Sequence, residues 1–491
     1  MLYHWFEIGH AAVKPARLAA GSARLMLNHP LNPIAHTPYG RSAAAACEVF
    51  ERTTRRYAKP EFGLTETIVN GEAVPIREDI VYEHPFCELI RFTKEMPGDE
   101  VREQPRVLLV SPMSGHFATL LRGTVEAFLP DHEVYITDWR DARQVPVAYG
   151  GFDLDDYIDV VRDMLSTLGG DVHVIAVCQP SVPVLAAIAL MEEADHPHAP
   201  NSLTMMGGPI DTRISPTEVN KLAESKGTEW FANNVINSVP WPNLGFSRRV
   251  YPGFLQLTGF MTMNLDRHVQ AHRDLFNHLV EGDGDSASKH RDFYDEYLAV
   301  MDLTSEFYLQ TIETVFVGHH LARGIMKHRG QPVRPEAIRN VPLFTVEGGK
   351  DDITGAGQCR AALDLCTGVP KSQKTHYEAP GVGHYGIFNG SRFREMILPR
   401  LSRFIAKNEP PERVRQSREA LLEIDAAGMP DGALTCARRL RRDAQHALTA
   451  LETGTLPKLP GRREFDAPKS RGRKKSVNRR RRRSRRATEI A

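Results

Sequence analysis

Apolar positions along the 491-residue chain follow two alternating periods. Arg106–Val110, Glu133–Thr137, Val172–Val177 and Leu203–Met206 are short apolar runs of strand type. Between them Phe117–Leu129, Leu154–Leu168 and Pro183–Glu193 carry helical spacing. Alternation of this kind predicts βαβ units and a parallel sheet covered on both faces. Upstream, Thr65–Thr93 alternates with an Asn70-Gly71 turn signal and reads as antiparallel strands at one sheet edge. From Pro216 to Arg329 the text turns aromatic, Met-rich and helical in period, with the loop EGDGDSASKH in its middle. Strand–helix alternation resumes at Pro342–Val346, Gly357–Leu365, Thr375–Tyr377 and Phe393–Ile405. This is one α/β sheet with a helical insertion after its sixth strand. Such an insertion lies over the carboxyl ends of the strands, where a substrate crevice forms.

The same pattern divides the chain. Residues 1–62 form a helical extension, with Ala12–Leu27 and Ser42–Tyr57 separated by NHPLNPIAHTPYG. Trp5, Phe6, Leu25, Met26 and Leu27 can pack on the main domain, the reading taken here, or meet a hydrophobic surface. Residues 63–215 are the first part of the α/β core, 216–335 the lid and 336–408 the second part of the core. Two helices follow within 409–456 (Glu412–Ala426 and Asp431–Glu452), and 457–491 is a tail expected to be disordered.

Composition adds limits. With 41% hydrophobic and 25% charged residues the chain is an ordinary globular one. No apolar run reaches the ~20 residues needed to span a bilayer, and MLYHWFEIGHAAVKPARLAA lacks the basic start and apolar core of a secretory signal. Six cysteines without a CxxC pair speak against disulfides or a zinc site and fit a reducing cytoplasm. The net charge of +1 conceals a division. Residues 462–491 hold 14 Lys/Arg against three acids, net +11, so the rest carries 1 − 11 = −10. A tail of this kind suits a polyanion such as DNA or polyphosphate.

The candidate chemistry centres on Asp171–Met191, DVHVIAVCQPSVPVLAAIALM, which reads as strand, tight turn and helix with Cys178 at the turn. In α/β-hydrolases the nucleophile sits on such an elbow, above the sheet and before a helix N-terminus. A thiol there needs a base, an orienting acid and oxyanion donors, in the chain order nucleophile, acid, histidine. The strand PLFTVEGG ends in Lys350-Asp351-Asp352, and APGVGHYGIFNG places His384 in a Gly-flanked loop. Asp351 is the preferred acid, with Asp352 the alternative. The oxyanion donors fall at the backbone of Gln179 and of Met113 or Ser114, in the loop SPMSGHFATLLRG. His116 in the same loop precedes the nucleophile, so it reads as a possible substrate contact rather than the base. The pairs His319-His320 and His268/His272 lack a third ligand or HExxH, and read as helix surface; no metal is expected. Neither GxxxxGK[ST] nor a strand-linked GxGxxG occurs, and no cofactor is expected.

From MLYHWFE to about residue 406 the chain resembles intracellular polyhydroxyalkanoate (polyhydroxybutyrate) depolymerases. The resemblance is carried by SPMSGHFATLLRGTVEAFLPDHEVYITDWRDAR, HVIAVCQPSVPVLAA, EGGKDDITGAGQC and APGVGHYGIFNG. It implies a cytoplasmic hydrolase acting on the amorphous polymer of storage granules, with Cys178 as nucleophile, Asp351 as acid and His384 as base. The implied products are 3-hydroxybutyrate or short oligomers. Two rivals stand beside it. One is a polyhydroxyalkanoate synthase-like acyltransferase, which normally has Gly where this chain has Pro180. The other is a non-catalytic granule or nucleic-acid protein, whose support is the tail.

Overall fold

The computed structural model describes residues 2–96, 104–263 and 265–410. The C-terminal helices and basic tail expected over 409–491 lie, beyond Pro410, outside the described residues. A nine-stranded sheet organises the rest: β1 (Glu66–Val69), β2 (Glu72–His84), β3 (Cys87–Lys94), β4 (Arg106–Val110), β5 (Glu133–Trp139), β6 (His173–Val177), β7 (Ser202–Met206), β8 (Leu343–Gly348) and β9 (Lys374–Ala379). Their spatial order is β1-β2-β3-β5-β4-β6-β7-β8-β9. The first three pairings in this order are antiparallel and the other five parallel. With β1 set aside as an extra edge strand, this is the α/β-hydrolase order: one exchange of neighbours at β5 and β4, one antiparallel strand, and the elbow after the central β6. The insertion after the sixth strand of that frame therefore follows the seventh of the nine.

Central strands are apolar on both sides because helices cover both faces. Leu108, Val110 and Val174 face a core shared with α4 (Leu154–Thr167) and α5 (Ser181–Glu193). Val107, Leu109 and Ile175 face the other core, with Phe128 of α3 (Arg122–Phe128) and Leu401 of the last described helix, Leu398–Lys407. Helix α4 starts on a capping box, in which Asp153 and Asp156 each accept from the other's backbone N–H. Helix α5 is buried from Ser181 to Met191, which explains its unbroken small and apolar text.

The lid is mainly helical, as its period predicts: α6 (Glu218–Asn234), α7 (Gly253–Met263), α8 (Leu265–Glu281), α9 (Gly284–Tyr297) and α10 (Ser305–Thr311). A π-helical turn over Ile312–Val317 extends α10. The sequence reading misses a three-stranded sheet built from Asn237–Ser238, Arg249–Tyr251 and Leu303–Thr304. The lid is fastened to the core. Arg248, 5% exposed, donates to the carbonyls of Val145 (3.0 Å), Pro146 (2.7 Å) and Gly150 (2.7 Å) beyond β5. On the other side Met301 N–H donates to Gly115 O at 2.7 Å, and His116 bridges to Val300.

The N-terminal extension is a helix pair, α1 (Leu2–Leu27) and α2 (Pro38–Thr54). Helix α1 starts ten residues before its predicted position. Tyr3 donates from its hydroxyl to Asp302 at 2.6 Å, and Phe6 stacks on Phe254 of the lid at 3.9 Å. The expected packing of Trp5, Leu25 and Met26 is not found: these side chains are 67%, 70% and 70% exposed, because only the Tyr3/Phe6 side of α1 meets the lid.

Candidate active site

Strand β6 delivers Cys178 in the left-handed region at φ 66, the strained backbone of a nucleophile elbow. Two hydrogen bonds hold it there: Cys178 N–H to Met206 O (2.7 Å) and Ser181 N–H to Cys178 O (3.1 Å). Pro180, φ −54, leads directly into α5, so the positive end of that helix lies beneath the sulfur.

Asp351 follows β8 and uses both oxygens. Its Oδ1 accepts from the N–H groups of Ile353 (2.9 Å) and Thr354 (2.8 Å), which fixes the turn. Its Oδ2 lies 2.7 Å from His384 Nδ1. One residue thus both caps the turn and orients the histidine. Asp352 is exposed and lies on the side of Tyr297 and Tyr385. Behind the acid loop, buried Glu347 accepts from the N–H groups of Gly357 (2.9 Å), Cys359 (2.8 Å) and Arg360 (2.9 Å).

His384 opens a short 3-10 turn after β9, is 5% exposed, and lies between Asp351, its hydrogen-bond partner, and the neighbouring Cys178 sulfur. Burial opposes charge on its ring. The neighbouring Cys178 sulfur and the Asp351 carboxylate outweigh burial and push the His384 pKa well above the usual imidazole range.

The loop beyond β4 is set by Ser111, whose hydroxyl donates to Thr137 O at 2.6 Å and whose carbonyl accepts from Trp139 Nε1 at 2.9 Å. Met113 N–H points to Gln179 Oε1 at 3.4 Å. Among the described residues, the N–H groups of Gln179 and Ser114 meet no acceptor. His116 lines the same cavity, but its Nε2 lies 3.1 Å from Tyr297 O, and burial lowers its pKa to about 4. It is a neutral ring joining core to lid.

These groups open into a cavity of about 500 Å³ under the lid, where Cys178 and His384 meet Phe231, Tyr308, Ile312 and Phe316. The π-turn is what brings Ile312 and Phe316 onto its wall. The sequence reading misses Gly207. At φ +61 a Cβ there would lie 2.6 Å from Ile387 Cδ1, 3.2 Å from His384 Cε1 and 3.5 Å from Asp351 Oδ2. The Gly-Gly pair after β7 is the one signal in the text that pointed to such a close approach. The histidine pairs lie away from this site: His268 Nδ1 meets Tyr294 OH at 2.8 Å and His319 Nδ1 meets Thr212 Oγ1 at 2.9 Å.

Strand order and elbow define an α/β-hydrolase. Residues 207–409 match the family model described as PHB de-polymerase C-terminus, so the resemblance seen in the sequence is borne out over the lid and the acid and histidine loops. This match, on the fold just described, supports a carboxylic ester hydrolase. Cys178 lies outside the matched residues. No curated relative matches the chain. Solved structures of similar shape include a bromoperoxidase from Bacillus anthracis (12% identity, 67% of this chain and 99% of that one, TM-score 0.39). Others are an esterase from Thermogutta terrifontis (11%, 70% and 98%, 0.36) and naproxen esterase from Bacillus subtilis (14%, 74% and 96%, 0.36). At these scores the strand order, not the likeness, carries the fold.

Proposed function

We propose that the chain is an intracellular depolymerase that hydrolyses the ester bonds of amorphous storage poly(3-hydroxybutyrate) through a cysteine acyl-enzyme. The observation that carries the reading is the line Asp351–His384–Cys178 at the mouth of an apolar cavity. The Cys178 thiolate attacks a polymer ester carbonyl. The backbone N–H of Gln179, with that of Met113 or Ser114, takes the oxyanion. His384 gives its proton to the departing alkoxide, leaving a hydroxyacyl thioester. Water, deprotonated by the now neutral His384, attacks the thioester, and the acid leaves as the thiolate re-forms beside the imidazolium. Asp351 holds the ring throughout.

Pro180 favours breaking polymer over making it. Incubation with hydroxybutyryl-coenzyme A is expected to yield no polymer, and polymer would assign the acyltransferase instead. The deciding assay follows 3-hydroxybutyrate and oligomers released from protein-coated amorphous granules by wild type and Cys178→Ala. Loss of roughly 10⁴-fold or more is expected for the variant, and release that persists refutes the cysteine mechanism.

Two features support work at the granule. Helix α1 presents Trp5, Ile8, Leu18, Leu25 and Met26 to the outside, an apolar surface of the kind that marks an interaction site. The Lys/Arg-rich residues 462–486 suit DNA, polyphosphate or an acidic granule protein, through salt-sensitive counterion release. Removing residues 457–491 is expected to change granule or nucleoid association while leaving turnover of soluble oligomers intact. Unchanged association removes that role.

A further inference from the structure

The cavity contains two side-chain amides for which the reaction as described has no use. Gln179, 8% exposed, turns its Oε1 to the Met113 N–H. That contact fixes which way round the amide sits, since two N–H groups cannot face each other. Its Nε2 is then a buried donor with no acceptor among the described residues. Gln256 comes from α7 in the roof, its amide pressed so close to Gly115 that a Cβ there would lie 2.6 Å from its Cδ. Its Oε1 is a buried acceptor with no donor among the described residues. Both side chains line the cavity that holds Cys178 and His384, and each touches the Met113–Gly115 loop.

Orphaned buried polar atoms are rare and costly, and a donor and an acceptor lining one cavity ask for a group that can serve both. Ester oxygens only accept, so a mid-chain ester would satisfy Gln179 and leave Gln256 Oε1 bare. A carboxylate end also only accepts, and no Lys or Arg lines the cavity to meet its charge. A hydroxyl accepts from Nε2–H and donates to Oε1 at once. A linear polyester of a hydroxy acid carries one, at one end.

We propose that Gln179 and Gln256 read the free hydroxyl end of the polymer, so that the enzyme works inward from that end with the hydroxyl-bearing acyl unit held beneath the lid. The inference rests on the ester-hydrolase reading of this cavity. Gln179 and Gln256 act as positioning residues, and Gly115 is what lets the roof glutamine come close enough.

The test reads binding without turnover. Calorimetry on the Cys178→Ala protein compares a 3-hydroxybutyrate trimer methyl ester with a free hydroxyl end against the same trimer O-acetylated. The free hydroxyl is expected to bind about tenfold tighter or more. Adding Gln256→Leu should bring the two within about twofold, and Gln256→Glu, which retains an acceptor oxygen, should keep the preference. Equal binding of the two trimers, tighter binding of the acetylated one, or binding of neither overturns the proposal. So does a preference that survives Gln256→Leu. If Gln256→Leu does not fold, the trimer comparison and Gln256→Glu still decide. A wrong assignment of Cys178 shows separately, as continued granule hydrolysis by Cys178→Ala.

Discussion

Asp351 and Asp352 are chemically alike and adjacent, and both satisfy the chain order of nucleophile, acid and histidine. The structure separates them by what their oxygens touch: Asp351 reaches His384 and two backbone amides, whereas Asp352 is exposed. Asp351→Asn is expected to lower kcat/KM on a soluble ester by about 10²–10⁴-fold, and Asp352→Asn by less than about threefold. Steady-state kinetics on both variants checks this, and the reverse order reassigns the acid. Gly207 was far less legible. The contacts that forbid a side chain there come from Asp351, His384 and Ile387, remote in sequence and brought near by three neighbouring strands. Gly207→Ala combines a strained φ with overpacking against the imidazole. A stability loss of roughly 1–3 kcal/mol is expected with a disproportionate fall in kcat, read by denaturant melts beside kinetics.

Among elements, the parallel strands and their helices could be read because each buries a continuous apolar run or stripe. What escaped was set by contacts distant in sequence. The two- and three-residue strands of the lid sheet are too short to show a period, and the first turns of α1 owe their place to Tyr3 and Phe6 meeting the lid. That junction has its own pH signature. Burial, aided by the Asp141 charge and opposed by Arg143, raises the Asp302 pKa to about 7. An acid whose pKa is higher folded than unfolded binds more protons in the native state, so stability falls as pH rises from about 4 through about 7. Thermal melts across that window should show the decline in wild type and a flatter profile in Asp302→Asn, whose amide still meets Tyr3 OH and Gly253 N–H. An identical decline in the variant assigns the effect elsewhere.

At the scale of the whole molecule, the apolar side of α1 and the cavity are separate surfaces, and their tasks are expected to separate too. Replacing Trp5, Leu25 and Met26 by Ser should weaken sedimentation with amorphous granules severalfold while kcat/KM on a soluble oligomer stays within about twofold, since no α1 side chain lines the cavity. Granule binding that does not change would leave α1 without that role. The fastening of the lid has a last consequence. Arg248 pins one flank through three carbonyls, and Gly115 and His116 pin the other. A roof held at two sides resists lifting as a single plate. On the proposed function, substrate would reach the sulfur as thread reaches the eye of a needle, tip first, and the number of free tips on a granule, rather than the mass of polymer behind them, would set how fast it is consumed.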